Sequence, residues 1–137
     1  MPAWAHEMLR TARVGRLGLV DDRGRPRVLP VTFALVGGAI YSAVDRKPKR
    51  PGEPARVRYL RRRPEAALTV DLYDEDWTQL SWVQVLGHVE LLDPTDSPGA
   101  MEALAAKYEP YRREPPPGPL LMLVPERALH WRASDSH

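Results

Sequence analysis

An antiparallel β-barrel with helices on its outside is the fold the sequence predicts, and three observations predict it. Short runs of apolar residues alternate with polar ones at period two, the signature of half-buried strands. Successive runs are joined by tight glycine-bearing turns, which suit hairpins, and not by the helical crossovers that a parallel sheet needs. Few segments carry apolar residues at helical spacing. At 137 residues the chain has the length of one domain, expected to span 1–137. A chain of that size buries roughly two-thirds of its unfolded surface, enough to stand without disulfides or a structural metal.

Residues 2–13 open as an amphipathic helix, with Pro2 suited to its first turn, Trp4, Met8, Leu9 and Ala12 along one stripe, and Gly15 ending it. Leu17 and Leu19 then enter a strand that turns at Asp21-Asp22-Arg23-Gly24, where Gly24 supplies a positive φ. The return strand, 26–36, places Val28, Pro30 and Thr32 on one face and Leu29, Val31, Phe33 and Leu35 on the other. Pro30 has no N–H for the ladder, so it marks a bulge or an unpaired stretch, with room for something other than a neighbouring strand. Gly37-Gly38 makes the next turn, 39–44 the third strand, and 45–54 a loop with three prolines and four basic residues.

A short helix over 55–63 points Val57 and Leu60 inward and stops at Pro64. Strands at 66–73 and 79–92 flank the acidic turn Asp74-Glu75-Asp76-Trp77, and Gly87 inside the second marks a bend or bulge where a barrel turns a corner. A helix over 97–108 has Ser97 at its N-cap, Pro98 at its first position, and Met101, Leu104, Ala105 and Tyr108 along one side. A proline-rich connection over 110–119 leads to closing strands at 120–125 and 128–133.

Composition excludes several chemistries. With no Cys, the chain offers no thiolate zinc site, iron–sulfur cluster or cysteine nucleophile. His6, His88, His130 and His137 are scattered without metal-ligand spacing, and neither a Gly-x-Ser-x-Gly elbow nor a Walker loop occurs. No apolar run approaches the roughly 20 residues of a membrane span. Met1-Pro2-Ala3-Trp4 does not start a basic and then apolar leader, so a cytoplasmic protein without a membrane partner is expected.

Charge is more informative by position than in total. Twenty basic against 18 acidic residues leave a net +2. The cations nevertheless cluster, with Arg46, Lys47, Lys49 and Arg50 in the loop and Arg56, Arg58, Arg61, Arg62 and Arg63 on the helix after it. Arg61, Arg62 and Arg63 are consecutive and point to different sides, as solvated residues do. Lys47, Lys49 and Arg56 differ, because a loop leading into a helix N-terminus gathers backbone donors, the positive end of the dipole and side-chain charge around one anion. Phosphate is the natural guest. A net +2 gives little long-range attraction to a polyanion, so a compact phosphate-bearing cofactor fits better than nucleic acid. Trp77, among acids at a turn, is placed to cover a flat ring. The interior of a barrel this small is filled by side chains, so the ring would need an outer groove completed by a second subunit.

The residues that carry these readings resemble a known family. Gly24-Arg25-Pro26-Arg27-Val28-Leu29-Pro30-Val31-Thr32-Phe33, Ser42-Ala43-Val44-Asp45-Arg46-Lys47-Pro48-Lys49, Asp71-Leu72-Tyr73-Asp74-Glu75-Asp76-Trp77 and Ala106-Lys107-Tyr108 are similar to segments of the pyridoxamine-phosphate-oxidase-like split barrels, in particular the coenzyme F420-dependent branch. The resemblance implies a mainly β fold with peripheral helices, a six-stranded antiparallel split β-barrel forming a homodimer, with FMN or F420 held between subunits. It implies ring contacts at Pro30, Val31, Thr32, Ser42, Ala43 and Val44 and phosphate contacts at Lys49 and Arg56, with Lys47 a neighbour. The activity implied is an oxidoreductase passing hydride to a small unsaturated or carbonyl substrate. The cofactor carries that chemistry, which accounts for the missing acid–base dyad, and Tyr73 or water is the available proton donor. The alternative is a non-catalytic protein that binds or stores flavin, deazaflavin or haem. Arg46 and Arg50 would meet the polyanionic tail that only F420 brings, which tilts the cofactor toward F420.

Overall fold

A computed structural model describes residues 1–44 and 53–135. Helix α1 (Ala3–Thr11) precedes strands β1 (Gly15–Val20), β2 (Pro26–Val31), β3 (Ala34–Val36) and β4 (Ala39–Ala43). Helix α2 (Ala55–Arg62) leads to β5 (Glu65–Leu72) and β6 (Ser81–Leu92). Helices α3 (Pro98–Lys107) and α4 (Glu109–Arg113) then lead to β7 (Leu120–Arg132). The strands form one antiparallel sheet in the order β2-β1-β5-β6-β7-β4-β3. The chain turns where the sequence places hairpins, with positive φ at Gly24, Gly37 and Gly38.

The strand order explains the shape. β2 and β3 stand at opposite edges of the sheet yet are separated only by Thr32 and Phe33, so the sheet must curl until its edges meet at those two residues. Two long strands make the curl. β6 pairs through Ser81–His88 with β5 and through its whole length with β7, while the start of β7 pairs with β4. The corner falls at Gly87, where the register slips and Glu126 is left as the extra residue between Pro125 and Arg127. A Cβ at Gly87 would overlap the Val124 carbonyl oxygen, so only glycine permits this approach.

Alternation along the strands puts one side chain set inside. Leu17 and Leu19 of β1, Leu68 and Val70 of β5, Val83 and Val85 of β6 and Leu121 and Leu123 of β7 pack with Val31 and Phe33, and α1 covers them with Ala5 and Leu9. Val57 and Leu60 of α2 enter the same core. A second cluster lies under α3, where Ala100, Leu104 and Tyr108 pack on Ala34, Ala43 and Leu120.

Five expectations change. The sheet has seven strands and not six, and it does not close by hydrogen bonds, because the 26–36 segment is cut into β2 and β3. That cut lies at Thr32–Phe33 and not at Pro30, which pairs in register with Arg16. β2 is an edge strand, where a missing N–H can face the open side. The two closing strands are one continuous β7, since Pro125 falls at the bulge where a ladder bond is already lost. The 110–119 connection begins with α4, in which Pro110 occupies the first turn, the one helical position that loses nothing without an N–H. Ser97 precedes α3 but makes no side-chain capping bond.

Candidate functional site

The interruption between β2 and β3 is the chemically unusual place in the fold. Phe33 is 0% exposed, and leaving the strand ladder strips its backbone of strand partners. An unpaired buried N–H or carbonyl costs about 1–3 kcal/mol, so partners must come from elsewhere. They come from the corner between α3 and α4. Tyr108 Oη accepts the Phe33 N–H at 3.1 Å, and Lys107 Nζ donates to the Phe33 carbonyl at 2.9 Å. Tyr111 Oη and Thr32 Oγ1 are hydrogen-bonded at 2.7 Å, and Ser42 Oγ of β4 donates to the Thr32 carbonyl at 2.7 Å.

One hydroxyl has one proton, and Tyr108 Oη lies 2.8 Å from the Arg13 carbonyl and 3.1 Å from that of Phe33. Lys107 already serves Phe33, so the shorter bond to Arg13 takes the tyrosine's proton. The ammonium of Lys107 also stands 4.0 Å from the centroid of the Phe33 ring, and Arg13 lies 4.9 Å from that of Tyr108. Burial, with the charges of Arg13 and Arg10 nearby, pushes Lys107 down to about 8. Burial pushes the Tyr108 phenol up.

The structure brings two of the sequence-predicted groups together. Pro30 and Val31 end β2 with Thr32 just after it, Ser42 and Ala43 end β4 with Val44 just after it, and the Ser42–Thr32 bond ties the two ends. Pro30 is exposed and Thr32 half-buried, whereas Val31, Ser42, Ala43 and Val44 are buried. We call this junction the shelf: Pro30 and Thr32 are its accessible residues, and the other four are buried.

Arg56 sits in the first turn of α2, half-buried, and pairs with no carboxylate among the described residues. Its neighbours are engaged otherwise, since Arg58 and Arg62 pair with Asp22 and Arg61 with Glu53. No acid occupies that first turn, and Val57 of the same turn shares the inner core with Val44 at the shelf. Lys47, Lys49, Arg46 and Arg50 lie outside the described residues.

Trp77 stands on a 3-10 turn between β5 and β6, 67% exposed, with no hydrogen bond or ring contact to the shelf among the described residues. Tyr73, equally exposed, bonds Glu75 at 3.0 Å. Asp76 caps the turn through Thr78, whose two bonds lower its carboxyl below the ordinary range. The described residues contain no grouping of three metal-ligating side chains and no helix long and apolar enough to cross a membrane.

Lys107, Tyr108 and Tyr111 were not singled out as site residues from sequence. Tyr108 reads as the last apolar position of a helical stripe, and only the strand break at Thr32 and Phe33, 74 to 79 positions away, reveals what these side chains serve.

A curled antiparallel sheet, split where β2 becomes β3 and flanked by outer helices, places the chain in the split-barrel class. More specifically, it belongs to the pyridoxamine 5'-phosphate oxidase family, whose profile matches residues 2–121. Among solved structures, a conserved hypothetical protein of Mycobacterium tuberculosis superposes with a TM-score of 0.78 at 16% identity, over 98% of this chain and 86% of that one. A FAD-binding protein of Mesorhizobium loti gives 0.69 at 21% identity, over 95% and 94%. An F420 reductase gives 0.67 at 20% identity, over 94% and 98%. At these identities the likeness is one of fold. No match is found among curated proteins.

Proposed function

We propose that the chain is a flavin- or deazaflavin-dependent oxidoreductase. It binds F420 or FMN between two copies of itself and passes hydride to a small unsaturated or carbonyl substrate. The observation that carries this reading is the Ser42–Thr32 bond that ties the ends of β2 and β4, together with Arg56 in the first turn of α2, which pairs with no carboxylate among the described residues. A flat ring and a phosphate need those two things at once, a rigid edge and a positive helix end. Membership of the pyridoxamine 5'-phosphate oxidase family supports it, as do the fold neighbours named as F420 reductase and FAD-binding protein.

When bound, the cofactor supplies the hydride chemistry. Pro30 and Thr32 would carry the ring, with Val31, Ser42, Ala43 and Val44 as the wall behind it. Arg56, with Lys47 and Lys49, would hold the phosphate, and Trp77 is exposed enough to cover a ring carried by the partner copy. The outer face of the sheet supports dimerisation. Val28, 70% exposed, lies in register with Gly18 and Ala67, and Ala67 with Leu86, an apolar row across four strands.

Fluorescence titration with FMN and with F420 tests the reading. One of them is expected to bind with a micromolar Kd, about 8 kcal/mol, and Arg56→Ala to weaken it at least about tenfold through the lost charged contact. Failure of both ligands overturns the proposal. Tight binding without turnover across electron acceptors would instead make the chain a cofactor-binding protein.

A further inference from the structure

We infer that Lys107 and Tyr111 are positioning residues for the cofactor shelf, acting through Thr32 and Phe33; the inference rests on the cofactor reading above. The 28–33 stretch alternates outside and inside, with Val31 and Phe33 buried, and the alternation stops at Ala34, which follows Phe33 and is buried as well. What accompanies the break is the set of bonds from the α3–α4 corner, each made to one of the two residues that leave the sheet.

The division of labour among the three side chains follows from their partners. Tyr108 is buried and bonds the Arg13 carbonyl as well as Phe33, so it fixes the corner to the body of the fold. Lys107 donates to the Phe33 carbonyl, and Tyr111 shares a hydrogen bond with the Thr32 hydroxyl, so each holds one of the two residues of the break. Thr32 is thereby held from two directions, by Tyr111 on its side chain and by Ser42 on its carbonyl. Releasing Tyr111 leaves Thr32 anchored by its backbone but free to turn its side chain and shift the surface beside Pro30. Releasing Lys107 lets the Tyr108 proton move from the Arg13 carbonyl to that of Phe33, 3.1 Å away, which relaxes the corner without unfolding it.

The test uses the full chain and three variants, Tyr111→Phe, Lys107→Met and Lys107→Arg, titrated with whichever of FMN and F420 the wild type binds. The expected result is a Kd raised at least fivefold in Tyr111→Phe and Lys107→Met, largely restored in Lys107→Arg, which keeps a donor. At saturating cofactor the bound ring's visible absorption band is expected to shift in Tyr111→Phe, a readout that a purely structural role would not move. Circular dichroism and urea unfolding identify any variant that has lost its fold, and Tyr111→Phe, which removes one half-buried oxygen, is the variant that decides. Wild-type affinity and an unshifted band in a folded Tyr111→Phe overturn the inference while leaving the cofactor reading intact. Failure of the wild type to bind either cofactor overturns both.

Discussion

Replacing Gly87 by alanine tests the geometry of the barrel corner. The added methyl would overlap the Val124 carbonyl oxygen and lie 2.9 Å from its carbon and 3.2 Å from Pro125 Cα. All three are backbone atoms of β7, so no side-chain rotation relieves the contact. β7 is also pinned, paired with β6 on both sides of the bulge and with β4 at its start. Recovering ordinary contact distances needs a shift of about 1 Å, and overpacking with so little freedom belongs at the upper end of the usual range, about 3 kcal/mol. For a chain of this length that corresponds to a Tm lowered on the order of 10 °C. Differential scanning calorimetry reads it directly, with urea unfolding as a second measure. A Gly87→Ala protein melting within about 2 °C of wild type would show that the corner is not built on this approach.

Gly99, in the first turn of α3, has open space where a Cβ would stand, so Gly99→Ala is expected to stabilise by about 0.5–1 kcal/mol, seen as a higher urea midpoint. An unchanged or lower midpoint would count against the helix as described. Lys107 gives a pH dependence. Its pKa of about 8 lies below the ordinary 10.5, so between those values the unfolded chain binds more protons and stability rises with pH. The half-buried ammonium is screened, which limits the gain to about 1 kcal/mol. Arg13 and Arg10 face it, and Tyr108, pushed upward by burial, stays neutral through most of that window. Urea midpoints at pH 7 and pH 9.5 should therefore converge in Lys107→Met relative to wild type, and an identical pH response in the two proteins would refute the assignment.

How much of this was legible in the sequence depends on the range of the interaction. Gly24, Gly37 and Gly38 were readable because a turn's φ requirement is local, and Gly87 because a glycine inside an apolar strand has few other uses. Val57 and Leu60 were readable from helical spacing. Pro125 misled, since proline ends a strand by default and its tolerance depends on a bulge formed with β6. Pro110 misled in the same way, because a first-turn proline and a loop proline look alike until the helix is seen. The strand break was sensed from Pro30 but misplaced by two residues, for its cause is not in the strand. It is answered by side chains 74 to 79 residues later, a separation at which local pattern carries no information. Of the candidate site, the two shelf segments come together, Arg56 pairs with no carboxylate among the described residues, and Trp77 is set apart on its own turn.

A crystal structure of the protein grown with FMN or F420 tests the central claim most directly. The account predicts the ring against Pro30 and Thr32, its phosphate at Arg56 and the α2 N-terminus, and a second copy of the chain closing the site. A ring bound instead in the 330 Å³ cleft beneath α1, lined by Leu9, Ile40 and Val85, would contradict it.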